Sequence, residues 1–195
     1  TFKPDALRRF YKDWYRPDLM AVIAVGDFDK RDIEALIKRH FTPIPGAIAA
    51  RPRPSFEVPD HEETLFAVAT DREAPITSVG LYNKLPLRDQ TTVGAYRQLQ
   101  IERLYTTMLN SRLAELSLKP DPPFLRAATD RGIFVQTKET ASLVALVKED
   151  GIERGLEALI VESARAARFG FTEAELEREK RNILRAYEGA FDERE

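Results

Sequence analysis

Apolar positions along the chain change their period from segment to segment, and those changes mark out the elements. Leu7, Phe10, Tyr11 and Trp14 recur at helical spacing. Pro4 suits the first turn of that helix, and Pro17 forbids its continuation. Met20-Ala21-Val22-Ile23-Ala24-Val25 is a continuous apolar run closed by Gly26, the pattern of a strand buried on both faces. Asp29 is placed to cap a helix carrying Ile33, Leu36, Ile37 and Phe41. Residues 1–41 therefore read as helix–strand–helix.

Residues 42–60 break the pattern. Pro43, Pro45, Pro52, Pro54 and Pro59 exclude a regular helix or a central strand, so this stretch reads as a semi-rigid linker. At ~3.1 Å per residue it could span up to roughly 60 Å. A second unit, 61–195, opens with two expected strands, about Glu63–Thr70 and Ile76–Leu85, joined by turn chemistry around Asp71 to Pro75. A long helix is expected from about Thr91 to Ser117, with Leu104, Tyr105, Met108, Leu109, Leu113 and Leu116 as its buried stripe. Pro120, Pro122 and Pro123 close it, and two or three strands follow between Phe124 and Lys148. Asp150 with Glu153, and Thr172 with Glu175, have capping-box spacing for two further helices. The first carries Ile152, Leu156, Leu159 and Ile160; the second carries Leu176, Ile183, Leu184, Tyr187 and Phe191. The order β-β-α-β-β-α-α predicts an α+β fold. It would have two layers, a mainly antiparallel sheet with helices packed on one face.

Composition narrows the classes. Hydrophobic residues make up 43% and charged residues 32% of 195 positions, a globular balance. Lys+Arg number 30 against 32 Asp+Glu, so the net charge of −2 gives no general attraction for nucleic acid or an acidic membrane. The absence of cysteine excludes disulfides and thiolate metal ligands. No apolar run approaches the ~20 residues of a membrane helix. Thr1 rather than Met opens the chain, and 188–195 still reads as helix without a stop signal, so the expectation is a segment of something longer.

Candidate chemistry is sparse. Hydrolytic zinc usually needs three protein ligands and a water. His40 and His61 are the two imidazoles, and neither has a second His at i+3 or i+4. His61-Glu62-Glu63 sets one His beside two carboxylates at the end of the linker, where surface polarity is the simpler reading. Ser55, Ser78, Ser111, Ser117, Ser142 and Ser163 lack a nucleophile-elbow context. Glu173, Glu175, Glu177 and Glu179, with Lys180 and Arg181, read as a solvated helix face. Gly26-Asp27 after an apolar run falls short of a Gly-rich phosphate loop and reads as a turn before a cap. Phe10, Tyr11, Lys12, Trp14, Tyr15 and Arg16 combine aromatics with charge, yet their spacing is that of core packing rather than of a stacking platform. Catalytic, cofactor-binding and metal residues are therefore expected to be none.

Four segments carry a resemblance. Phe10 to Met20 (FYKDWYRPDLM), Val22 to Asp27 (VIAVGD), Met108 to Glu115 (MLNSRLAE) and Phe171 to Leu176 (FTEAEL) occur in that order. Together they resemble the pitrilysin/insulinase family of zinc metallopeptidases, which includes the mitochondrial processing peptidases. The resemblance covers nearly the whole chain. It implies that 1–41 closes one αβ domain, that 42–60 links, and that 61–195 is a second αβ domain lacking its closing strand and helix. It implies that the family's H-x-x-E-H motif and its downstream Glu lie outside this chain, so zinc belongs to the parent protein and not to this segment. It further implies that the parent is a zinc endopeptidase whose two bowl-like halves enclose a peptide, this segment forming part of the wall.

The expected partners are then the remaining domains of the parent and a peptide substrate, with no nucleic acid and no membrane span. The sheet edge left bare is expected to be covered by Met20–Val25 or by a second copy, through strand swapping or edge pairing. Two alternatives stand beside this reading: a domain of a non-catalytic scaffold or partner subunit of the same family, and an unrelated α+β binding module. A bacterial periplasmic or envelope location is a family-level implication only.

Overall fold

The chain divides into two units, Thr1–Pro54 and Ser55–Glu195. The computed structural model describes residues 2–46 and 51–194. Residues 47–50 of the expected linker thus lie outside the described residues.

In the N-terminal unit, helix α1 (Pro4–Trp14) begins with its proline in the first turn, and a 3-10 turn occupies Pro17–Leu19. Helix α2 (Lys30–Phe41) is capped by Asp29, whose Oδ1 accepts from the Arg31 and Asp32 amides at 2.8 and 3.2 Å. Neither helix buries a residue. Two expectations fail here. Residues 20–25 form no strand, and Val25 is 93% exposed. The backbone at Met20 is extended (φ −118°, ψ 151°), but an extended segment becomes a strand only when a ladder partner takes its amides. Likewise Leu7, Phe10 and Tyr11 lie exposed rather than in a core, because nothing apolar among the described residues of this unit closes over α1. Arg16 is the one buried residue in the described part of the unit, its Nη2 donating to Arg51 O at 2.6 Å. Arg51 in turn reaches Asp13 and lies over the Trp14 ring.

In the C-terminal unit the described order is β1 (Thr77–Pro86), α3 (Val93–Ser117), β2 (Arg126–Val135), β3 (Lys138–Val147), α4 (Ile152–Phe169) and α5 (Glu173–Asp192). The strands form one antiparallel sheet in the order β1-β3-β2. Register sets Val79 opposite Ala145 opposite Ala127, and Leu81 opposite Leu143 opposite Thr129. Alternation then turns Val79, Leu81, Leu143, Ala145 and Val147 to one face, where they meet Leu109, Leu113, Leu159 and Phe124. This is the α+β, two-layer arrangement with its helices on one face. Helix α4 approaches the sheet closely because Gly155 stands over Val147; a Cβ at that position would overlap Val147 Cγ1.

Two local expectations differ. Residues 63–70 form no strand, although the turn at Asp71 is made by Ala74 N–H donating to Asp71 O. Leu65, Phe66 and Val68 are exposed, for the same lack of a ladder partner. Helix α4 starts after Gly151 with no side-chain cap, so the Asp150–Glu153 box does not form. The Thr172–Glu175 box does form, reciprocally.

Candidate functional site

Helix α3 is the hub of the C-terminal unit, and four consecutive residues near its middle point in four directions. The Asn110 amide bonds both backbone groups of Thr129 in β2, donating to the carbonyl at 3.0 Å and accepting from the amide at 2.8 Å. Ser111 Oγ donates to Glu179 of α5 at 3.1 Å. Leu113 is fully buried in the core. Arg112 gathers the rest. Its Nε and Nη2 donate to the two Glu175 oxygens at 2.6 and 3.0 Å, and Nη2 also donates to Gly170 O at 3.0 Å. Its Nη1 reaches Glu162 of α4 at 3.4 Å, and the guanidinium lies 4.4 Å from the Phe171 ring centroid.

The local sequence explains why this knot forms. Gly170 ends α4 at φ 67°, a conformation that disfavours a side chain, and its carbonyl meets Arg112. Phe171 follows under the guanidinium, Thr172 caps α5, and Glu175 closes the box while gripping Arg112. Hydrogen bonding to Arg112, opposed by burial and reinforced by the Thr172 amide and hydroxyl, holds the Glu175 carboxyl at about 2. Glu175 and Glu179 are therefore not the solvated face expected from the charge pattern. They face α3, while Glu177 keeps an ordinary surface pair with Lys180 at 2.7 Å.

A second polar cluster sits where β1 leaves the sheet. Glu139 of β3 is 1% exposed and accepts from Arg88 Nε at 2.8 and 3.0 Å and from Arg131 Nε at 2.8 Å. Glu102 of α3 bridges the same two arginines at 2.8 and 2.9 Å. Burial pushes the Glu139 carboxyl up, but the hydrogen bonds from Arg88 and Arg131 outweigh it and the net shift is downward. Sequence reasoning missed this cluster. Its signal was present: Glu139 occupies an inward position of an alternating strand, where a charge demands partners. Above the cluster, Tyr96, Gln100, Arg103 and Tyr187 rim a shallow depression of about 290 Å³.

The residues weighed for catalysis do not assemble a centre. His40 lies exposed in the last turn of α2. His61 is exposed with Nδ1 2.6 Å from Glu63 O. Ser117 Oγ donates to Ala114 O within its own helix. Among the described residues no group of three or more His, Cys, Asp or Glu could hold a metal ion. No helix of the described residues is long and apolar enough to cross a membrane.

Similarity to known proteins bears on this picture. A probable zinc protease, PqqL, of Escherichia coli strain K12 is 27% identical over 99% of this chain. A zinc protease PQQL-like protein of Arabidopsis thaliana is 37% identical over 66% of it. The chain spans only 21% and 14% of these relatives' lengths. The crystal structure of the first half of the periplasmic protease PqqL from Escherichia coli superposes with a TM-score of 0.77 at 25% identity, covering 98% of this chain and 41% of that one. Residues 1–110 match the domain described as the peptidase M16 inactive domain. Met108-Leu109-Asn110-Ser111-Arg112-Leu113 and Phe171-Thr172-Glu173-Ala174-Glu175-Leu176, far apart in sequence, are thus the two halves of one interhelical knot, and the chain belongs to the peptidase M16 family through its inactive domain.

Proposed function

We propose that this chain is a non-catalytic portion of a larger zinc metalloendopeptidase, where it helps to enclose and bind a peptide. The observation that carries the reading is the match to the inactive domain across residues 1–110, joined to likeness over nearly the whole chain to one half of a periplasmic protease. The residues present do not fit zinc, with two exposed imidazoles and no three-donor cluster among the described residues, and in this reading the metal is held by parts of the parent outside this chain. What this segment would contribute is rigidity and shape. Arg112 locks α3, α4 and α5 together, and Glu139 with its arginines fixes the corner where β1 gives way to α3. A wall of that kind excludes water and orients a substrate without touching the scissile bond.

The partners in this reading are the remaining domains of the parent and its peptide substrate, and the compartment is the periplasm of the Escherichia coli relative. A second copy pairing along the sheet edge would show as a concentration-dependent dimer in sedimentation. The deciding experiment compares the 195-residue chain with the parent protein in peptide hydrolysis. We expect chelator-sensitive cleavage by the parent, none by the chain, and no stoichiometric zinc in the chain. Chelator-sensitive cleavage by the chain alone would sink the proposal.

A further inference from the structure

The rim above the Glu139 cluster is built differently from its floor. Arg88 and Arg131 are both saturated by Glu102 and Glu139. Arg103, the residue after Glu102 on α3, has no carboxylate partner among the described residues. It is held instead by Tyr187 of α5: Nη1 donates to the Tyr187 hydroxyl at 3.1 Å, and the guanidinium carbon lies 5.2 Å from the ring centroid. The Tyr96 hydroxyl stands 3.5 Å from that of Tyr187.

We propose that Arg103 and Tyr187 form a binding site for a single carboxylate presented by an extended peptide. The donor count supports an acceptor ligand. Arg103 can only donate, so the Tyr187 oxygen accepts from it, and either of the two tyrosine hydroxyls can donate to the other. The guanidinium N–H groups that Tyr187 does not take are left beside these hydroxyls as donors for a ligand. A carboxylate accepts from such a fork with two oxygens. The depression, at about 290 Å³, sits at the lower end of ligand cavities and suits one side chain rather than a nucleotide. Charge selects further. Arg88, Arg103 and Arg131 stand with Glu102, Glu139 and Asp130, so the local charge sums to zero and there is no field for a dianion or a polyanion, but among the described residues Arg103 alone of the three arginines has no bonded carboxylate. The exposed rings of Tyr96 and Tyr187 supply rigid apolar area for the residues flanking the carboxylate. This inference needs neither zinc nor cleavage, so it stands or falls apart from the metallopeptidase reading.

The test is a titration of the isotopically labelled 195-residue chain, followed by amide chemical shifts. The probe is a terminally blocked Ala-Ala-Glu-Ala-Ala peptide, with its Gln counterpart and inorganic phosphate as the other arms. Saturable shifts around Arg103 and Tyr187 are expected with the Glu peptide. Binding is expected to weaken about tenfold or more for the Gln peptide and in Arg103→Gln. Tyr187→Phe keeps the ring and should lose several-fold, about the worth of one hydrogen bond to a charged group. Both side chains are exposed, so the variants' spectra away from the rim should overlay the parent's. Equal shifts with the Gln peptide, an unchanged titration in Arg103→Gln, no saturable shifts at the rim, or phosphate binding as tightly as the Glu peptide would each overturn the proposal.

Discussion

The two units share a pattern of apolar residues but not its outcome. In the C-terminal unit, apolar stripes on α3 and α4 meet the inward face of a three-stranded sheet and bury Leu109, Leu113, Phe124 and Leu159 almost completely. In the N-terminal unit α1 and α2 are amphipathic too, yet the described residues bury only Arg16. The difference teaches that periodicity states a demand for a partner. It does not say that the partner lies within the same stretch of chain. Burial supplies ~25 cal/mol for each Å² removed from water, so a stripe with nothing opposite contributes no stability.

That contrast can be broken or sharpened by substitution. The chain's single tryptophan, Trp14, lies in the N-terminal unit, while α3, α4 and α5 hold most of the helix. Emission therefore follows one unit in urea unfolding, and far-ultraviolet circular dichroism follows mainly the other. The largest effect is expected from Arg112→Ala, which strands Glu175 without its cation and leaves the buried Glu162 with the exposed Arg165 alone. The circular dichroism transition should lose about 4 kcal/mol, the cost of leaving one side of a buried pair alone. Gly155→Ala comes next. Its methyl group must displace Val147 or the helix, and a loss of about 2 kcal/mol is expected from overpacking.

Acidification acts on the same knot. Glu175 titrates at about 2 when folded and near 4.5 when free, so its contribution is complete above pH 4.5 and disappears as pH falls through about 2. Discounted for the partial solvent screening of Glu175, the C-terminal transition should weaken by roughly 2 kcal/mol across that window, and Glu175→Gln should flatten the slope. The smallest effect is expected from Ile23→Ser. At 83% exposure it should leave both transitions within about 0.5 kcal/mol. A large destabilisation there would show that the apolar run 20–25 is covered in solution after all, and would erase the contrast between the units.

The fold was legible in the sequence where an element is satisfied locally or by a near neighbour. Asp29 as a cap, Pro4 as a helix opener and the Thr172–Glu175 box all depend on atoms within four residues. The stripe on α3 was legible because Met108, Leu109 and Leu113 have the period of a buried helix face. Met20–Val25 and Glu63–Thr70 were misread because their composition is that of strands, and composition cannot report an absent ladder. The polar knots were the least legible. Arg112 and Glu175 are separated by 63 positions, and a glutamate in a charged helix carries no mark of which neighbour it will face. Asp150 and Glu153 had the spacing of a box, but Gly151 took the capping position.

Asn110 has one more consequence. Its amide occupies the outward N–H and C=O of Thr129, the groups through which β2 would recruit another strand. A side chain thus imitates a neighbouring backbone at the middle of that margin, and a strand adding to β2 must first displace it.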